Sequence, residues 1–309
     1  MILTLTVNPA LDVYTTVENI EPNEKLRCKA PKNDPGGGGV NVSRVIKRLG
    51  GDSTAVYTKG GYTGDMFYDL LKQENIRQEP VTVKNNLRQN FAVTETTTGE
   101  LYRFGMPGAP LEASDYEAIL KKIDAYPEAE FLVASGSLPP GAPEDFYARV
   151  AKRAKKNNIK CILDTSGKAF SAVLKEGAYL LKPNMRELRD LTGRSAESEK
   201  EQKELLLEVL EKYDIEVIVA SLGPNGAYLA KEGKVQHFPA PSVEHISSIG
   251  AGDSMVAGIV YSLSKGNPVE KAVLFGLACG SATIKSPGTE LLQKEDVMQL
   301  YSELTGNQN

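Results

Sequence analysis

Apolar and polar positions follow a regular rhythm along the second half of the chain. From about residue 114 onward, short apolar runs are separated by longer segments in which apolar residues recur with helical spacing. The predicted strands are 131–134, 161–163, 179–181 and 216–220, and the predicted helices are 144–157, 167–175, 185–193 and 198–212. Short apolar strands that alternate with helices are typical of a parallel sheet covered by helices on both faces.

The same rhythm begins at the N-terminus but is interrupted twice. Strands over 1–8 and 54–57 and helices over 40–49 and near 64–75 follow the α/β pattern. Two segments, about 11–34 and 86–107, are instead polar or rich in β-forming residues. We therefore predict one α/β domain over residues 1–309, with a mostly parallel central sheet between two helical layers. The two insertions are predicted to form a small β-rich lid.

Composition and charge narrow the possible functions. The chain has 309 residues, of which 41% are hydrophobic and 25% charged, as in globular proteins. The net charge of −4 gives no support for nucleic-acid binding. The sequence has neither a recognisable targeting segment nor a transmembrane stretch. We therefore expect a cytoplasmic protein with no nucleic-acid or membrane partner.

Cysteine and histidine are too few and too scattered for several kinds of catalysis. Cys28, Cys161 and Cys279 are far apart, and their spacing matches no metal-binding pattern. His237 and His245 are the only histidines, and neither has a matching Ser, Cys or second His motif. The sequence therefore argues against zinc hydrolysis and against a Ser-His-Asp triad.

The tetrapeptide Gly250-Ala251-Gly252-Asp253 directly precedes an apolar stretch with helical spacing, from Met255 to Leu263. The N–H groups of the three small residues can converge on an anion, where the helix dipole adds partial positive charge. Asp253 can then accept a proton from a hydroxyl held beside that anion. Phosphoryl transfer to an alcohol requires such an arrangement, although an ordinary turn that begins a helix has the same pattern.

Four glycines, Gly36 to Gly39, precede the predicted helix that contains Asn41. Glycine permits positive φ and close backbone approach, and Asn offers one acceptor and two donors. No Gly-Lys-Ser/Thr follows, so this is not a Walker A loop, and it is not a dinucleotide fingerprint either. We interpret it as a cradle for a phosphate or a sugar; a flexible linker is the alternative.

Polar residues follow several predicted strands, where ligands bind in parallel α/β sheets. They are Ser135-Gly136-Ser137, Asp164, Lys182-Pro183-Asn184 and Ser221-Leu222-Gly223. Asn184 and Glu187 lie on one face of a predicted helix and could hold a hydrated Mg²⁺ against nucleotide phosphates. The same pair fits a capping box, and both roles can hold together. The turn from Ser221 to Ala227 could line a nucleotide or be an ordinary turn.

Five cations lie in or near the predicted lid. They are Lys25, Arg27, Arg44, Arg88 and Arg103. A phosphorylated substrate needs fixed cations, and Arg can bind phosphate through two parallel hydrogen bonds. Each of these side chains could equally be a solvated surface charge.

Together, these motifs resemble the PfkB-type, ribokinase-like sugar kinase family over essentially the whole chain. The two matching signatures are Gly36-Gly37-Gly38-Gly39-Val40-Asn41-Val42-Ser43-Arg44 and Ile249-Gly250-Ala251-Gly252-Asp253-Ser254-Met255. The motifs that fit the phosphosugar branch are Asn8-Pro9-Ala10-Leu11-Asp12, Arg88-Gln89-Asn90, Ser135–Gly141 and Asp164-Thr165-Ser166-Gly167. Those that resemble the minor bacterial 6-phosphofructokinases are Lys25-Leu26-Arg27-Cys28, the four glycines and Tyr102–Ala109. The resemblance implies a ribokinase-like three-layer α/β sandwich.

The resemblance also implies roles for individual residues. Asp253 would deprotonate the sugar hydroxyl, and the N–H groups of Gly250, Ala251 and Gly252 would stabilise charge on the transferred phosphoryl group. The residues implied for the sugar and its phosphate are Asp12, Lys25, Gly37, Gly38, Asn41, Arg88, Arg103 and Ser137. Those implied for ATP are Lys182, Asn184, Ser221, Gly223 and Gly226. Glu187 would order Mg²⁺ through water.

Further expectations rest on the resemblance alone. ATP and Mg²⁺ are implied, together with a monovalent cation such as K⁺ near the anion site. The stretch from Lys285 to Thr289 lacks the small-residue pattern of ribokinases, so no residue is assigned to that cation. A homodimer joined through the lids is also expected.

The expected reaction is phosphorylation of fructose 6-phosphate at its C1 hydroxyl. Tagatose-6-phosphate kinase is the near alternative, because the two sugars differ in the configuration of one hydroxyl, and 1-phosphofructokinase is third. A kinase for nucleosides or unphosphorylated sugars would not need Lys25, Arg88 and Arg103 together. A non-enzymatic sugar-phosphate sensor would be expected to have lost Asp253 or the glycines before it. A dehydrogenase would need the cofactor fingerprint.

Overall fold

A computed structural model describes residues 1–306 of the chain. In that part, nine strands form one large sheet: β1 (Ile2–Thr6), β4 (Thr54–Lys59), β5 (Arg77–Thr82), β8 (Phe131–Ser135), β9 (Lys160–Asp164), β10 (Ala178–Leu181), β11 (Ile215–Ser221), β12 (Ala227–Lys231) and β13 (Lys234–Phe238). Their spatial order is β13-β12-β11-β10-β9-β8-β1-β4-β5. Every neighbouring pair is parallel except β11–β12 and β12–β13. The mostly parallel sheet that the sequence predicts is confirmed.

Helices cover both faces of this sheet. Within residues 1–306 they are α1 (Gly38–Arg48), α2 (Gly61–Gln73), α3 (Ala113–Asp124), α4 (Phe146–Lys156), α5 (Gly167–Glu176), α6 (Met185–Thr192), α7 (Glu199–Lys212), α8 (Ala251–Ser264), α9 (Val269–Ile284) and α10 (Lys294–Gly306). One core packs α3 to α7 on one face, and a second core packs α1 and α8 to α10 on the other. The predicted three-layer α/β fold is therefore confirmed.

Side chains alternate in direction along each strand, which explains why one sheet can pack against two hydrophobic cores. Successive strand residues point to opposite faces. In β8, Leu132 and Ala134 belong to the first core, whereas Phe131 and Val133 belong to the second. Both sets are buried, so the strand is apolar throughout and was recognisable as a short continuous apolar run.

A second sheet has four strands: β2 (Ala10–Val17), β3 (Lys32–Gly36), β6 (Arg88–Glu95) and β7 (Leu101–Phe104), in the order β3-β2-β6-β7. These strands come from the two predicted insertions, about 11–34 and 86–107. Residues 18–31, between β2 and β3, contain no helix or strand. That the whole of 1–309 is one domain stays a prediction, and its last three residues lie outside the described part.

Several elements were not predicted. The sequence predicts no helix over α3, α9 or α10 and no strand over β12 or β13. Helix α9 is buried over almost its whole length and is apolar on all sides, so it lacks the one-sided periodicity that marks a surface helix. Within residues 1–306, none of the helices combines the length and apolar character that crossing a bilayer requires.

Arg44, one of the cations considered for a phosphorylated substrate, has a different role. Its side chain is 2% exposed and bonds Glu74, with Nη2 2.6 Å from Oε1. Nη1 donates to the carbonyl of Pro35 at 2.8 Å, and Nη2 also reaches Asp34 at 3.4 Å. The guanidinium therefore joins α1 to lid strand β3, and its charge is neutralised by carboxylates of the protein itself.

We expect Arg44→Leu to lower the free energy of unfolding by about 3–5 kcal/mol, because it leaves the partly buried carboxylate of Glu74 without its partner. Asp34 would keep only its longer ion pair with Lys32, at 3.6 Å, and the hydrogen bond from Thr289. Urea denaturation would measure the change. Lys47→Ala is a matched control on the same helix, since its surface pair with Asp52 contributes about 1 kcal/mol or less. A loss as small for Arg44→Leu as for the control would contradict the structural role.

Candidate active site

Several of the predicted site residues meet at the carboxyl ends of the central parallel strands. β8 ends at Ser135, which is aligned with Asp164 at the end of β9. Asn184, which follows β10, forms a bridge with Ser221 at the end of β11. Parallel strands end at the same edge of a sheet, so residues far apart in sequence become neighbours there.

Asp253 lies in the first turn of α8, directly above this edge. Gly250 precedes the helix with φ of 75°, a left-handed conformation that glycine adopts without strain. The Asp253 carboxylate accepts hydrogen bonds from Asn41 Nδ2 at 2.9 Å and from Ser135 Oγ at 3.4 Å. Residues from the glycine-rich loop, the strand end and the Gly-Ala-Gly-Asp motif thus converge on one carboxyl group.

The environment of Asp253 favours its protonated form more than water does. Burial raises its pKa to about 6, and the negative charge of Asp164 acts in the same direction. The hydrogen bond from Asn41 and the charge of Lys182 oppose this shift. A carboxylate with a pKa near 6 is largely ionised at neutral pH and is a stronger base than an ordinary aspartate.

Lys182 supplies a positive charge beside the start of α8. Its side chain is 8% exposed and pairs with Asp164, the Nζ lying 3.1 Å from Oδ1. Burial opposes the charge of this ammonium group, but Asp164 and two further carboxylates outweigh burial and raise its pKa. A Cβ added to Gly252 would lie 3.7 Å from Lys182 Nζ, so the ammonium faces the helix start.

The start of α8 also offers backbone donors. The first N–H groups of an α-helix have no partner within the helix. That of Ala251 forms only a long bond to the carbonyl of Ser248, at 3.4 Å. These donors, the helix dipole and Lys182 together make this position suitable for an anion.

The glycine-rich loop brings the start of α1 into direct contact with β1 and β8. Gly37 has φ of 115°, and a Cβ there would lie 2.7 Å from Thr6 Cγ2. A Cβ on Gly38 would collide with the Ser135 side chain. The N–H of Val40 donates to Thr6 Oγ1 at 2.8 Å, which caps the helix from the sheet. The loop is therefore packed in place and is not a linker.

A cavity of about 300 Å³ lies on the lid side of the site. Its lining includes Asp12, Asn90, Arg103, Ile249 and Thr289. Asn90 Nδ2 donates to Asp12 Oδ1 at 2.8 Å, and burial raises the pKa of Asp12. The cavity thus presents a fixed carboxyl group, an amide and a guanidinium, which suit a polyhydroxylated anion.

Arg88 ties the lid to the main sheet. Its Nη2 donates to the carbonyl of Asn8 at 2.9 Å, and its Nη1 donates to the carbonyl of Met106 at 2.8 Å. Its Nε is buried without a hydrogen-bond partner in residues 1–306. The guanidinium is therefore fixed in position by two of its nitrogens, while the third has no partner in the described residues.

Some predicted residues are not brought to the centre of the site. Lys25 and Arg27 lie in the exposed segment between β2 and β3, and neither forms an ion pair with any residue in 1–306. Ser137 is exposed, and its Oγ is 3.5 Å from Asn8 Nδ2. Arg103 is exposed at the rim of the cavity. The roles of these four residues stay predictions.

Asn184 and Glu187 form the capping box considered as the alternative. Glu187 Oε2 accepts from the N–H of Asn184 at 2.8 Å, and Asn184 Oδ1 accepts from the N–H of Glu187 at 2.8 Å. Burial raises the pKa of Glu187. Among residues 1–306, no cluster of three His, Cys, Asp or Glu side chains is placed to hold a metal ion. Mg²⁺ usually keeps several waters and is held by one or two carboxylates together with substrate phosphates, so a single carboxylate such as that of Glu187 fits a hydrated ion.

The turn after β11 borders a large open cavity. Gly223–Asn225 form one turn of 3₁₀ helix, and Gly226 follows with φ of 95°. The cavity measures about 770 Å³, and its lining includes Asn184, Ser221, Gly223, Tyr228 and His237. Three of the five residues predicted to line ATP therefore share one cavity, and Lys182 and Gly226 lie next to it in sequence.

Ser135 and Asp164 belong to the site although neither was assigned a role from the sequence. Ser135 bonds the Asp253 carboxylate, and Asp164 pairs with Lys182. Both had been noted as polar residues at predicted strand ends. That position was the available signal, but the sequence does not show which side chains turn toward Asp253.

Known proteins similar to this chain match it over nearly its whole length. Residues 6–295 match the family described as pfkB family carbohydrate kinase. The ATP-dependent 6-phosphofructokinase isozyme 2 of Mycobacterium tuberculosis is 40% identical over 301 residues, which cover 97% of this chain and 88% of that protein. The isozyme 2 of Escherichia coli is 39% identical over 306 residues, or 98% and 99% of the two chains. The 1-phosphofructokinase of Bacillus subtilis is 33% identical over 98% of each.

Solved structures of phosphofructokinase-2 from Escherichia coli have the same fold. The complex with potassium has a TM-score of 0.94 at 38% identity and covers 98% of this chain and 99% of the other. The complex with fructose-6-phosphate has a TM-score of 0.92 at the same identity and coverage. The similarity includes the lid as well as the central sheet, since almost no residue of either chain is left out.

Proposed function

The chain belongs to the pfkB family of carbohydrate kinases, and on that basis we propose that it transfers the γ-phosphoryl group of ATP to the C1 hydroxyl of fructose 6-phosphate. The product would be fructose 1,6-bisphosphate. One observation carries the proposal: the partly buried Asp253 carboxylate, held by Asn41, lies in the first turn of a helix whose start faces Lys182. A base and an anion site are thus side by side.

Each group at this centre has a distinct task in the transfer. Asp253 takes the proton of the C1 hydroxyl as the oxygen attacks phosphorus, and Asn41 keeps the carboxylate aimed at that hydroxyl. The N–H groups of Gly250, Ala251 and Gly252, together with Lys182, stabilise the negative charge on the phosphoryl oxygens. Positioning and electrostatics account for most of the rate enhancement in such reactions.

The lid cavity is the proposed site of the sugar phosphate. Asp12, oriented by Asn90, accepts hydrogen bonds from sugar hydroxyls, and the backbone of Gly37 and Gly38 lies beside them. Arg88 and Arg103 bind the 6-phosphate, with Ser137 and Lys25 contributing when the lid closes. Closure also excludes water, which would otherwise compete with the sugar for the phosphoryl group.

ATP would lie across the ends of β10 and β11, along Lys182, Asn184, Ser221, Gly223 and Gly226. Mg²⁺ would be held by Glu187 through water and by the phosphates, and it would neutralise phosphate charge. Activity that needs no Mg²⁺ would contradict this part of the proposal.

A monovalent cation is proposed beside the anion site. The N–H groups of Ile246 and Ser247 donate to the carbonyl of Ile284, and Ser247 Oγ donates to the carbonyl of Gly288 at 2.8 Å. These bonds hold residues 246–247 against 284–288, shortly before Gly250. A backbone carbonyl has two lone pairs, so that of Gly288 could bind K⁺ beside the hydrogen bond it accepts. Replacing K⁺ by tetramethylammonium in the assay tests this, and unchanged turnover would argue against it.

We also propose a cytoplasmic homodimer joined through the lids. Phe91 and Phe104 are paired across β6 and β7 and are 40% and 52% exposed. Tyr102 and Met106 add to the exposed apolar area. Exposed aromatic clusters of this kind mark protein interfaces. Sedimentation velocity measures the assembly, and a monomer at micromolar concentration would contradict the proposal.

The pH dependence of kcat/KM should report the ionisation of Asp253. The carboxylate is the base only when ionised, and burial raises its pKa to about 6. We expect activity to fall as the pH drops through about 6, approaching tenfold per pH unit below it. Circular dichroism at pH 5 would verify that the protein stays folded. An acid limb near pH 4, the range of an ordinary aspartate, would contradict the effect of burial.

The substrate is tested by measuring ATP-dependent ADP release with fructose 6-phosphate, tagatose 6-phosphate, fructose 1-phosphate and fructose. The highest kcat/KM is expected for fructose 6-phosphate. A preference for tagatose 6-phosphate or fructose 1-phosphate would leave the proposed phosphoryl transfer unchanged but would show that the enzyme acts on a different sugar phosphate. Equal use of unphosphorylated fructose would contradict phosphate binding by Arg88 and Arg103.

A further inference from the structure

The turn from Ser221 to Gly226, called here the nucleotide turn, is supported from behind by strand β13. The turn closes on itself, since the N–H of Leu222 donates to the carbonyl of Gly226 at 2.8 Å. A Cβ on Gly226 would collide with the carbonyl of Phe238 and lie 2.7 Å from the N of Ala240. The turn therefore rests directly on the backbone at the end of β13.

His237 adds a side-chain contact to the same support. It lies opposite Tyr228 in the β12–β13 pair, and the two ring centroids are 5.3 Å apart. Its Nε2 is 2.8 Å from the carbonyl oxygen of Asn225, near the end of the nucleotide turn. A carbonyl can only accept, so Nε2 carries the hydrogen and donates it.

The tilted contact between the two rings, whose planes meet at 57°, and the hydrogen bond act together. Tyr228 is buried, so the imidazole ring rests on a fixed surface and its Nε2 is directed at one point of the turn. Asn225 is the last residue of the 3₁₀ turn, and Gly223 at its start lines the same cavity as His237. Fixing the Asn225 carbonyl therefore fixes the orientation of the peptide groups that face the cavity.

We propose that His237 is a positioning residue for the nucleotide. It acts through the Asn225 carbonyl on the nucleotide turn, and it sets the affinity for the adenine nucleotide while leaving the sugar site unaffected. This rests on the proposed function, in which the turn lines ATP. The sequence offers no motif around His237 that would indicate this role.

Two substitutions separate the hydrogen bond from the ring. His237→Phe keeps an aromatic ring on Tyr228 and removes the donor, whereas His237→Gln keeps an N–H donor and removes the ring. We expect His237→Phe to raise the KM for ATP about three- to tenfold, as the loss of one neutral hydrogen bond would. His237→Gln should restore the KM for ATP to within about twofold of the wild type.

The measurements are KM for ATP and for fructose 6-phosphate, kcat, and the Kd of ATP by calorimetry, on the full-length enzyme. Gln236→Ala is the matched control. Gln236 is the exposed neighbour of His237 on β13, it is paired with Leu229, and its side chain points to the opposite face of the sheet. Support requires that only the ATP constants of His237→Phe change, with kcat and the KM for the sugar within about twofold.

Two results would overturn the role of His237 alone: an unchanged KM for ATP in His237→Phe, or an equal rise in both variants. A parallel rise in the KM for fructose 6-phosphate would also overturn it, since the effect would then be a general loss of structure. A wild-type enzyme that releases no ADP with any of the four sugars would instead overturn the proposed function, and the role of His237 with it.

Discussion

Asp253→Asn should reduce kcat by about 10²- to 10⁴-fold, the usual range for loss of a general base. The amide keeps the shape of the carboxyl group but cannot take the proton of the C1 hydroxyl. The KM for ATP should change little, because Asp253 contacts neither Lys182 nor the nucleotide turn by a hydrogen bond. Steady-state kinetics with fructose 6-phosphate would measure both constants.

Stability provides an independent check on this variant. Burial disfavours the charged form of Asp253, so its folded-state pKa lies above that of the unfolded chain. The folded state is therefore weakened by this group as the pH rises through about 6. Asp253→Asn removes that charge, so at neutral pH its melting temperature should equal or exceed that of the wild type.

Asp190→Asn serves as the control, since Asp190 is an exposed carboxylate on α6 that pairs with Arg186. It should leave kcat unchanged. If Asp253→Asn turned over at the wild-type rate, another group would have to accept the proton. If its melting temperature fell strongly, the loss of activity would be due to unfolding.

Lys182→Met is expected to lower kcat by about 10²- to 10³-fold, the effect of removing one fixed electrostatic group from a transition state. Lys182 is the buried cation that faces Gly252 at the start of α8. Without it, the backbone donors at the start of α8 are the only groups of the protein proposed to stabilise the negative charge that develops on the phosphoryl oxygens, beside the Mg²⁺ proposed above. The side chain of Met has a similar length, so packing should be largely preserved.

The same variant should change the pH profile, which a purely structural defect would not do. Lys182 lowers the pKa of Asp253, so its removal should move the acid limb above pH 6. Lys182→Met also leaves Asp164 unpaired. The double variant Lys182→Met, Asp164→Asn removes both charges, and it should recover stability and move the acid limb back down without recovering kcat.

Recovery of kcat in the double variant would mean that the unpaired Asp164 had caused the loss, and that Lys182 makes no direct contribution. An acid limb that stays in place in both variants would contradict the electrostatic coupling among Lys182, Asp164 and Asp253.

The architecture of the sheet was accessible from the sequence because its signals are local. Strands such as 131–134 are buried on both faces and appear as apolar runs, and helices such as 144–157 keep a polar face toward solvent. The helix α9 could not be recognised in this way, because it is packed on all sides and has no polar face. The antiparallel β12 and β13 were missed because they follow a turn at which the α/β rhythm stops.

Parts of the site were equally local. The Gly250-Ala251-Gly252-Asp253 motif, the Gly36 to Gly39 loop and the pairing of Asn184 with Glu187 each lie within a few residues, so spacing alone was informative. The residue types in these short motifs also indicated their function. Three small residues before a carboxylate at the start of a helix suit the binding of an anion beside a base.

Only the tertiary structure decided how these pieces act on one another. Asn41 and Asp253 are 212 positions apart, and no spacing rule connects residues at that distance. Burial and the approach of Asp164 set the pKa of Asp253, and the acidic partners of Arg44 turn a cation considered for the substrate into a structural one. The sequence by itself determined most of the α/β elements and the chemical types present in each motif, because these depend on near neighbours. Which charges meet, and how strongly they are buried, depends on the packing of distant segments and was decided by the fold.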